Sequence, residues 1–246
     1  MSFQRSRKLV IKSLVITIFL SFLVPGTSQA VTLSCGFVHP IIKTMLKRHI
    51  KYNDYTSNIE SRTIDQYIKT LDGSKLYLLK DDVSTIRDTL KGLYKRLENR
   101  GDCQPLERVH QLYTNRIKER FEFAKDFLGE KYKFDKSVKI DLDSDKREFA
   151  KNKKEAEKYE SDYIHFQIAS FLASDMKLDE AKKLVLKRYE RALKRVEEQQ
   201  SQELYADYLD SFARSLDPHS SYFSQERLEE FQIQMRLSLE GIGATL

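Results

Sequence analysis

Two segments decide the fold: residues 64–86, IDQYIKTLDGSKLYLLKDDVSTI, and residues 209–231, LDSFARSLDPHSSYFSQERLEEF. They align at a constant offset, so the chain repeats one pattern. Each segment is typical of an amphipathic helix, a Leu-Asp turn, a tyrosine with an apolar neighbour and a second helix. Two copies are too few for a solenoid, so we predict one helix–loop–helix unit used twice in a single domain. The alternative is chance convergence on a common turn. The identical pairs are Asp65/Asp210, Leu71/Leu216, Asp72/Asp217 and Tyr77/Tyr222.

The rest of the chain also favours long helices. The 246 residues include only 8 glycines and 4 prolines, and apolar residues recur at spacings of three and four. Thr63 and Gln66 predict a capping box at the start of the first copy. The apolar stripe from Val83 to Leu97 predicts one continuous helix that Gly101 closes. We therefore predict a mostly α fold.

Residues 130–160 break this pattern. Phe134, Val138, Ile140 and Leu142 alternate with polar residues, which predicts a small strand or an extended hairpin. The Lys/Glu run that follows is more typical of a solvated helix face than of a binding tract.

The charge balance argues against a nucleic-acid-binding protein. The chain has 43 Lys and Arg and 37 Asp and Glu, a formal net charge of +6. Four of the positive charges lie in residues 1–30, which contain no acid, and the remainder is close to balanced at +2. A nucleic-acid binder would be expected to keep a dense basic face outside that segment.

Residues 1–30 are typical of a secretory signal peptide. A basic start is followed by the apolar run Leu14–Val24, a Pro25-Gly26 break and the small residues Ser28 and Ala30 around a cleavage position. The alternative is a membrane anchor, but the run is shorter than the ~20 apolar residues of a spanning helix. Lipid attachment at Cys35 is not expected, because a lipobox prefers leucine where this chain has Thr32. We predict an exported, periplasmic protein with no membrane span after cleavage.

Export changes the interpretation of the two cysteines. Cys35 and Cys103 would reach an oxidising compartment, where a disulfide between them can persist. The bridge would close a long loop and stabilise the fold by about 3–4 kcal/mol. The alternative is two unrelated cysteines, since nothing in the sequence shows that they are close together.

No catalytic, metal-binding or cofactor-binding residue is predicted within this chain. The five histidines lack the HExxH spacing that places two ring nitrogens on one metal ion. His219, which follows Asp217-Pro218, is typical of a turn residue rather than a general base. There is no Gly-x-Ser-x-Gly elbow, phosphate loop or dinucleotide fingerprint. Where Ser-x-x-Lys would place a base beside a serine, the chain has arginine, which keeps its charge.

The C-terminal stretch carries one further motif, Gly241-Ile242-Gly243-Ala244. Glycines allow backbone N–H groups to turn toward an anion such as a peptide carboxylate. Together, the segment from Asp217 to Tyr222 and the segment from Ser238 to Ala244 resemble the N-terminal region of tail-specific (carboxyl-terminal processing) proteases. In that family a helical domain precedes a PDZ domain, which begins with a sequence similar to SLEGIGA.

The resemblance implies a serine peptidase with a Ser–Lys dyad that trims proteins from exposed C-termini. It implies that Gly241, Ile242, Gly243 and Ala244 form an incomplete carboxylate-binding loop, on a first PDZ strand whose partner strands are missing from this chain. The family's catalytic residues lie far downstream, so none is carried over. Protein C-terminal tails are the implied substrates, and a helical-repeat adaptor lipoprotein is a further implied partner.

These observations predict three regions: a signal peptide at 1–30, a helical domain at 31–236 and the start of a truncated PDZ domain at 237–246. The predicted role is a non-catalytic scaffold of a tail-specific protease, inactive by itself. Two alternatives remain: a stand-alone periplasmic binding module, and an inactive competitor of a full-length protease.

Overall fold

The computed structural model describes residues 32–236 of the 246-residue chain. The predicted signal peptide at 1–30 and the predicted first PDZ strand at 237–246 lie outside the described residues. Within them, none of the helices combines the length and the hydropathy needed to cross a membrane.

Helices dominate the described residues, as the apolar periodicity predicts. Nine are described: α1 Cys35–Arg48, α2 Ser57–Asp72, α3 Lys80–Leu90, α4 Leu93–Arg100, α5 Gln104–Phe127, α6 Lys153–Leu172, α7 Leu178–Glu198, α8 Ser201–Leu216 and α9 Gln225–Arg236. The prediction of a mostly α fold is therefore confirmed.

Two clusters of buried apolar side chains hold these helices together. The larger cluster collects side chains from α1 to α4, the first half of α5, and α8, including Ile42, Tyr67 and Phe212. The smaller cluster lies between the second half of α5, α6 and α7 around Ile164 and Val185. Helix α5 contributes to both clusters because its 24 residues extend over about 36 Å.

A buried ion pair lies beside the smaller cluster. Nη1 of Arg120 on α5 is 3.4 Å from Oε2 of Glu160 on α6, and the two side chains are 1% and 0% exposed. Burial raises the pKa of Glu160 to about 8, because a carboxylate loses its hydration there, and the positive charge of Arg120 opposes this rise.

Two predicted helix boundaries are wrong. Helix α2 begins at Ser57, one turn and a half before the predicted capping box, and Thr56 accepts the Ile59 N–H at its start. Thr63 lies inside the helix and its hydroxyl donates to the Ile59 carbonyl. The helix predicted to run from Val83 to Leu97 is interrupted at Gly92, whose φ of +74° is left-handed.

The strand or hairpin predicted for residues 134–142 is also wrong. Residues 128–152 form turns and irregular structure, and the described chain contains no strand, only an isolated bridge between Leu79 and Ala150. The period-two pattern fails because a strand requires a hydrogen-bonded neighbour, and this segment runs against helices instead. The following Lys/Glu run belongs to the exposed start of α6.

In the structure, Cys35 at the start of α1 and Cys103 just before α5 are joined by a disulfide, with their Cα atoms 5.9 Å apart. Their link connects α1 to the junction between α4 and α5, at the edge of the larger cluster.

Candidate functional site

The two aligned segments form two helix–loop–helix units in the structure. The first unit comprises α2, the loop at 73–79 and α3, and the second comprises α8, the loop at 217–224 and α9. The first helices of the two units, α2 and α8, pack against each other in the larger cluster.

Helices α2 and α8 run antiparallel, as their contacts show. The hydroxyls of Thr63 and Ser215 are 2.9 Å apart, and those of Thr70 and Ser211 are 3.3 Å apart. Thr70 and Ser215 are aligned positions, so each unit contributes this position to a contact with the other unit. The ring of Tyr67 meets that of Tyr208 edge to face at 5.7 Å.

The loop of the first unit is organised by one buried carboxylate. Asp72, which is 2% exposed, accepts the backbone N–H groups of Leu76, Tyr77 and Leu78 at 2.8–2.9 Å. The Ser74 hydroxyl donates to it as well, at 3.1 Å. Four donors on one side chain define the path of the loop, because each would otherwise need another acceptor.

The second helix of the first unit is held by α5. Asp82 accepts the Leu79 N–H at 2.8 Å, which caps α3, and it also accepts two hydrogen bonds from the guanidinium of Arg116 at 2.8 and 3.0 Å. A two-pronged Arg–carboxylate contact is stronger and more directional than a single one. Ile86 and Leu90 of α3 are fully buried.

In the second unit, two carboxylates accept the loop hydrogen bonds, whereas Asp72 alone accepts them in the first unit. Asp217 accepts the His219 N–H at 3.1 Å and the Ser220 hydroxyl at 3.3 Å. Asp210, about two helical turns earlier on α8, accepts the Tyr222 N–H at 2.9 Å. His219 itself is exposed in this loop, where the sequence predicts a turn residue.

The second helix of the second unit is held by its own unit. Nη2 of Arg227 on α9 donates to Oδ1 of Asp207 on α8 at 3.1 Å. Burial raises the pKa of Asp207, and the charge of Arg227 opposes this rise. Ser224 accepts the Leu228 N–H through its carbonyl at 2.9 Å and so starts the helix.

Helix α9 carries an exposed apolar face. Leu228, Phe231 and Met235 follow each other at spacings of three and four, so they lie on one side of the helix. They are 41%, 42% and 68% exposed. Phe223, just before α9, stacks on Phe231 with ring centroids 5.3 Å apart. We call Leu228, Phe231 and Met235 the α9 face; it is a candidate interaction surface.

The site residues predicted from the sequence are not among the three residues of the α9 face. Gly241, Ile242, Gly243 and Ala244, the predicted carboxylate loop, lie outside the described residues and begin five positions after the last residue of α9. Cys35 and Cys103 lie at the start of α1 and before α5. Sequence reasoning missed the α9 face: the helical spacing of Leu228, Phe231 and Met235 was visible, but spacing does not show which apolar face lacks a cover.

Comparisons with known proteins agree with this organisation. The model of the family described as "Tail specific protease N-terminal domain" matches residues 41–226, most of the described chain. The chain is also 29% identical over 199 residues to a protein of Haemophilus influenzae described as "Tail-specific protease". That alignment covers 81% of this chain and 28% of the relative, so the chain spans less than a third of that relative's length.

The matched range includes both helix–loop–helix units up to the start of α9, and it covers well over half of the chain. This chain belongs to the tail-specific protease N-terminal domain family.

Proposed function

We propose that this chain is the non-catalytic N-terminal scaffold of an exported tail-specific protease that trims periplasmic proteins from their C-termini. Family membership supports the protease context, and the relative's greater length leaves room for PDZ and Ser–Lys peptidase domains. In this proposal the motif from Gly241 to Ala244 opens the PDZ domain that captures the C-terminal tails of substrates. A helical-repeat adaptor lipoprotein is a second proposed partner.

The observation that carries the scaffold role is the α9 face. Its three side chains are about half exposed or more, and the helix that bears them ends at Arg236, one residue before the region predicted to begin the PDZ domain. An apolar patch on a helix that leads directly into the next domain is expected to be covered by that domain. The scaffold would then set the position of the PDZ domain relative to the helical core.

The proposed scaffold role has a structural basis at the base of α9. Arg227 bonds to Asp207, and Tyr222 packs against the larger cluster, so the start of α9 is tied to α8. Helix α8 is in turn buried along most of its length, with Leu209 and Phe212 fully inaccessible. A domain docked on α9 would thus be connected to the core by a short, ordered path.

The first test is the activity of the isolated chain. Purified residues 31–246 are mixed with a protein substrate that carries an unstructured C-terminal tail, and cleavage is followed by mass spectrometry. We expect no cleavage, and hydrolysis of the tail by this chain would contradict a non-catalytic role.

The second test addresses the α9 face in the full-length protease. Phe231→Asp places a charge on the face, and Ile233→Asp makes a similar change at a residue of similar exposure on the opposite side of α9. We expect Phe231→Asp to lower the rate of tail cleavage about tenfold and Ile233→Asp to leave it unchanged. Equal rates in the two variants, with unchanged circular dichroism, would contradict docking on this face.

The reading frame after Leu246 separates the proposal from a stand-alone binding module. A frame that continues into a PDZ domain and a Ser–Lys peptidase supports the scaffold role. A stop codon directly after Leu246 would contradict it and favour the binding module.

A further inference from the structure

A second surface feature is unrelated to the α9 face. A cavity of about 450 Å³ opens between α6, α7 and the two irregular segments at 74–77 and 141–147. Its volume is in the range of pockets that hold small organic ligands. Neither the predicted PDZ contact nor the family's protease chemistry accounts for it.

The walls of this cavity are largely apolar. They include Leu76, Tyr77, Leu142, Tyr163 and Phe166. Leu142 and Phe166 are 48% and 40% exposed, so they leave apolar surface in contact with water beside the cavity. A ligand with an apolar body would remove this surface from water.

The charged residues that line the cavity are both arginines, Arg147 and Arg188, and Gln167 adds a side-chain amide. Gln167 is a buried residue that lines the cavity, and its Oε1 accepts a hydrogen bond from Nη1 of Arg188 at 3.2 Å. A guanidinium can only donate, so this contact identifies the oxygen of the Gln167 amide. The amide Nε2 of Gln167 is then a buried donor without an acceptor in the structure.

Arg188 contributes positive charge at the same place. Its guanidinium lies 4.6 Å from the centre of the Phe171 ring, which holds the side chain along α6. No carboxylate of the described chain forms an ion pair with Arg188, so its charge is balanced only by solvent.

Arg147 contributes a second charge from the other side of the cavity. Its Nη1 donates to the Tyr159 hydroxyl at 2.6 Å and to the Asp141 carbonyl at 3.2 Å, and its Nη2 donates to the Ser74 carbonyl. All three acceptors are neutral, and its buried Nε has no acceptor. The guanidinium is thus positioned by neutral groups, and within the described residues it forms no ion pair with a carboxylate.

The nearest buried acid does not belong to the cavity. Glu160 is fully buried on α6 and bonds to Arg120 of α5; it does not line the cavity itself, although it interacts with the lining residue Tyr189. The cavity therefore combines two unpaired guanidinium groups, one unpartnered amide donor and apolar walls. Such a set is complementary to an acceptor-rich anion attached to an apolar body.

We propose that this cavity binds a carboxylate carried by an aromatic or branched aliphatic group, with Arg188 and Gln167 as donors to the carboxylate. Inorganic phosphate would satisfy the donors but leave the apolar walls exposed, and a neutral hydrophobe would leave the donors unpaired. Two sources share this chemistry: the C-terminal residue of a polypeptide, and a free organic acid. The inference does not depend on the proposed scaffold function.

Calorimetric titration of the purified chain, residues 31–246, tests this inference. The probes are N-acetyl-Leu-Phe with a free carboxylate, the same dipeptide as its C-terminal amide, and 3-phenylpropanoate. We expect the free dipeptide to bind at least tenfold more tightly than its amide. Equal affinity of acid and amide, or no binding of either acid, would overturn the proposal.

Matched variants assign the binding to the cavity. Arg188→Met removes a charge from the cavity edge, whereas Arg191→Met removes the same charge from an exposed site of α7 that does not line the cavity. We expect Arg188→Met to weaken binding of the dipeptide about tenfold and Arg191→Met to leave it unchanged. Because both arginines are exposed, both variants should fold, and equal affinities in the two would contradict the assignment.

The two acids distinguish the sources. If the dipeptide binds more tightly than 3-phenylpropanoate, the extra contact along the backbone favours a polypeptide C-terminus. If 3-phenylpropanoate binds as tightly as the dipeptide, a free organic acid is the better match. Both results support the carboxylate site, and neither depends on peptidase activity.

Discussion

The two helix–loop–helix units share a sequence pattern but differ in what their second helices contact. The aligned positions Ile86 and Phe231 are 0% and 42% exposed. Asp82 bonds to Arg116 on a distant helix, whereas the aligned residue Arg227 bonds to Asp207 within its own unit. One unit is therefore built into the core, and the other presents its second helix outward. A repeated local motif can thus be buried in one copy and leave its second helix exposed in the other.

The loops of the two units also differ: the carboxylate that organises the first loop is more buried than that of the second. Asp72 alone accepts three backbone N–H groups and is almost fully buried, whereas Asp217 accepts one backbone N–H at the surface. The second loop depends on Asp210 for its remaining backbone contact. The first loop also lines the cavity between α6 and α7 through Leu76 and Tyr77.

The largest expected effect comes from removing these loop carboxylates. Asp72→Ala should lower the free energy of unfolding by about 4 kcal/mol, because three backbone donors lose a charged acceptor. Asp217→Ala should cost about 1 kcal/mol, because the donors of its loop can turn to water. Urea unfolding at neutral pH measures both values. Similar losses in the free energy of unfolding for the two variants would contradict the difference between the two loops.

The next effect concerns the disulfide beside the first unit. Cys35→Ser combined with Cys103→Ser should lower the free energy of unfolding by about 3 kcal/mol, because the unfolded chain regains the freedom of a long loop. The unmutated chain in a reducing agent should show the same loss. Two titratable thiols in the oxidised, unfolded chain would contradict the pairing.

A smaller difference is expected at the aligned pair in the second helices. Ile86→Ala should cost about 2.5 kcal/mol, because it opens a cavity in the larger cluster. Phe231→Ala should cost less than about 1 kcal/mol, since it loses mainly the stacking contact with Phe223. Thermal unfolding of both variants checks this order. A larger loss for Phe231→Ala would show that α9 belongs to the core.

The last expected effect is a pH dependence of stability centred on Glu160, which interacts electrostatically with Tyr77 in the loop of the first unit. The pKa of Glu160 is raised from 4.5 to about 8, so between these values the folded chain holds a proton that the unfolded chain has released. Stability should therefore fall as the pH rises from about 5 to 8.

Glu160→Gln cannot titrate and should remove this component of the pH dependence. Hydrogen exchange at pH 5 and pH 8 locates the change, after correction for the intrinsic exchange rates. Amides of Leu76–Leu78 should lose protection at the higher pH, and the amide of Tyr222 should not. Equal loss in both loops would mean that the two units respond together.

The sequence predicts the elements of this fold better than their boundaries. The helical periodicity and the aligned turns at Asp72 and Asp217 are local properties, and the structure confirms the mostly α fold they predict. The predicted cap at Thr63 is wrong because a hydroxyl inside a helix can bond to the carbonyl four residues earlier, as it does to Ile59. The break at Gly92 was missed because its N–H donates to Glu60, a distant residue.

By itself, the sequence determined which segments are helical and where the two units turn, because periodicity, glycine and aspartate act over a few residues. Tertiary structure alone decided that α3 is covered and α9 is exposed, because Ile86 and Leu90 pack into the larger cluster and Phe231 does not. It also decided that Arg147, Gln167 and Arg188 surround one cavity. Such contacts join residues far apart in the chain, so no local pattern encodes them.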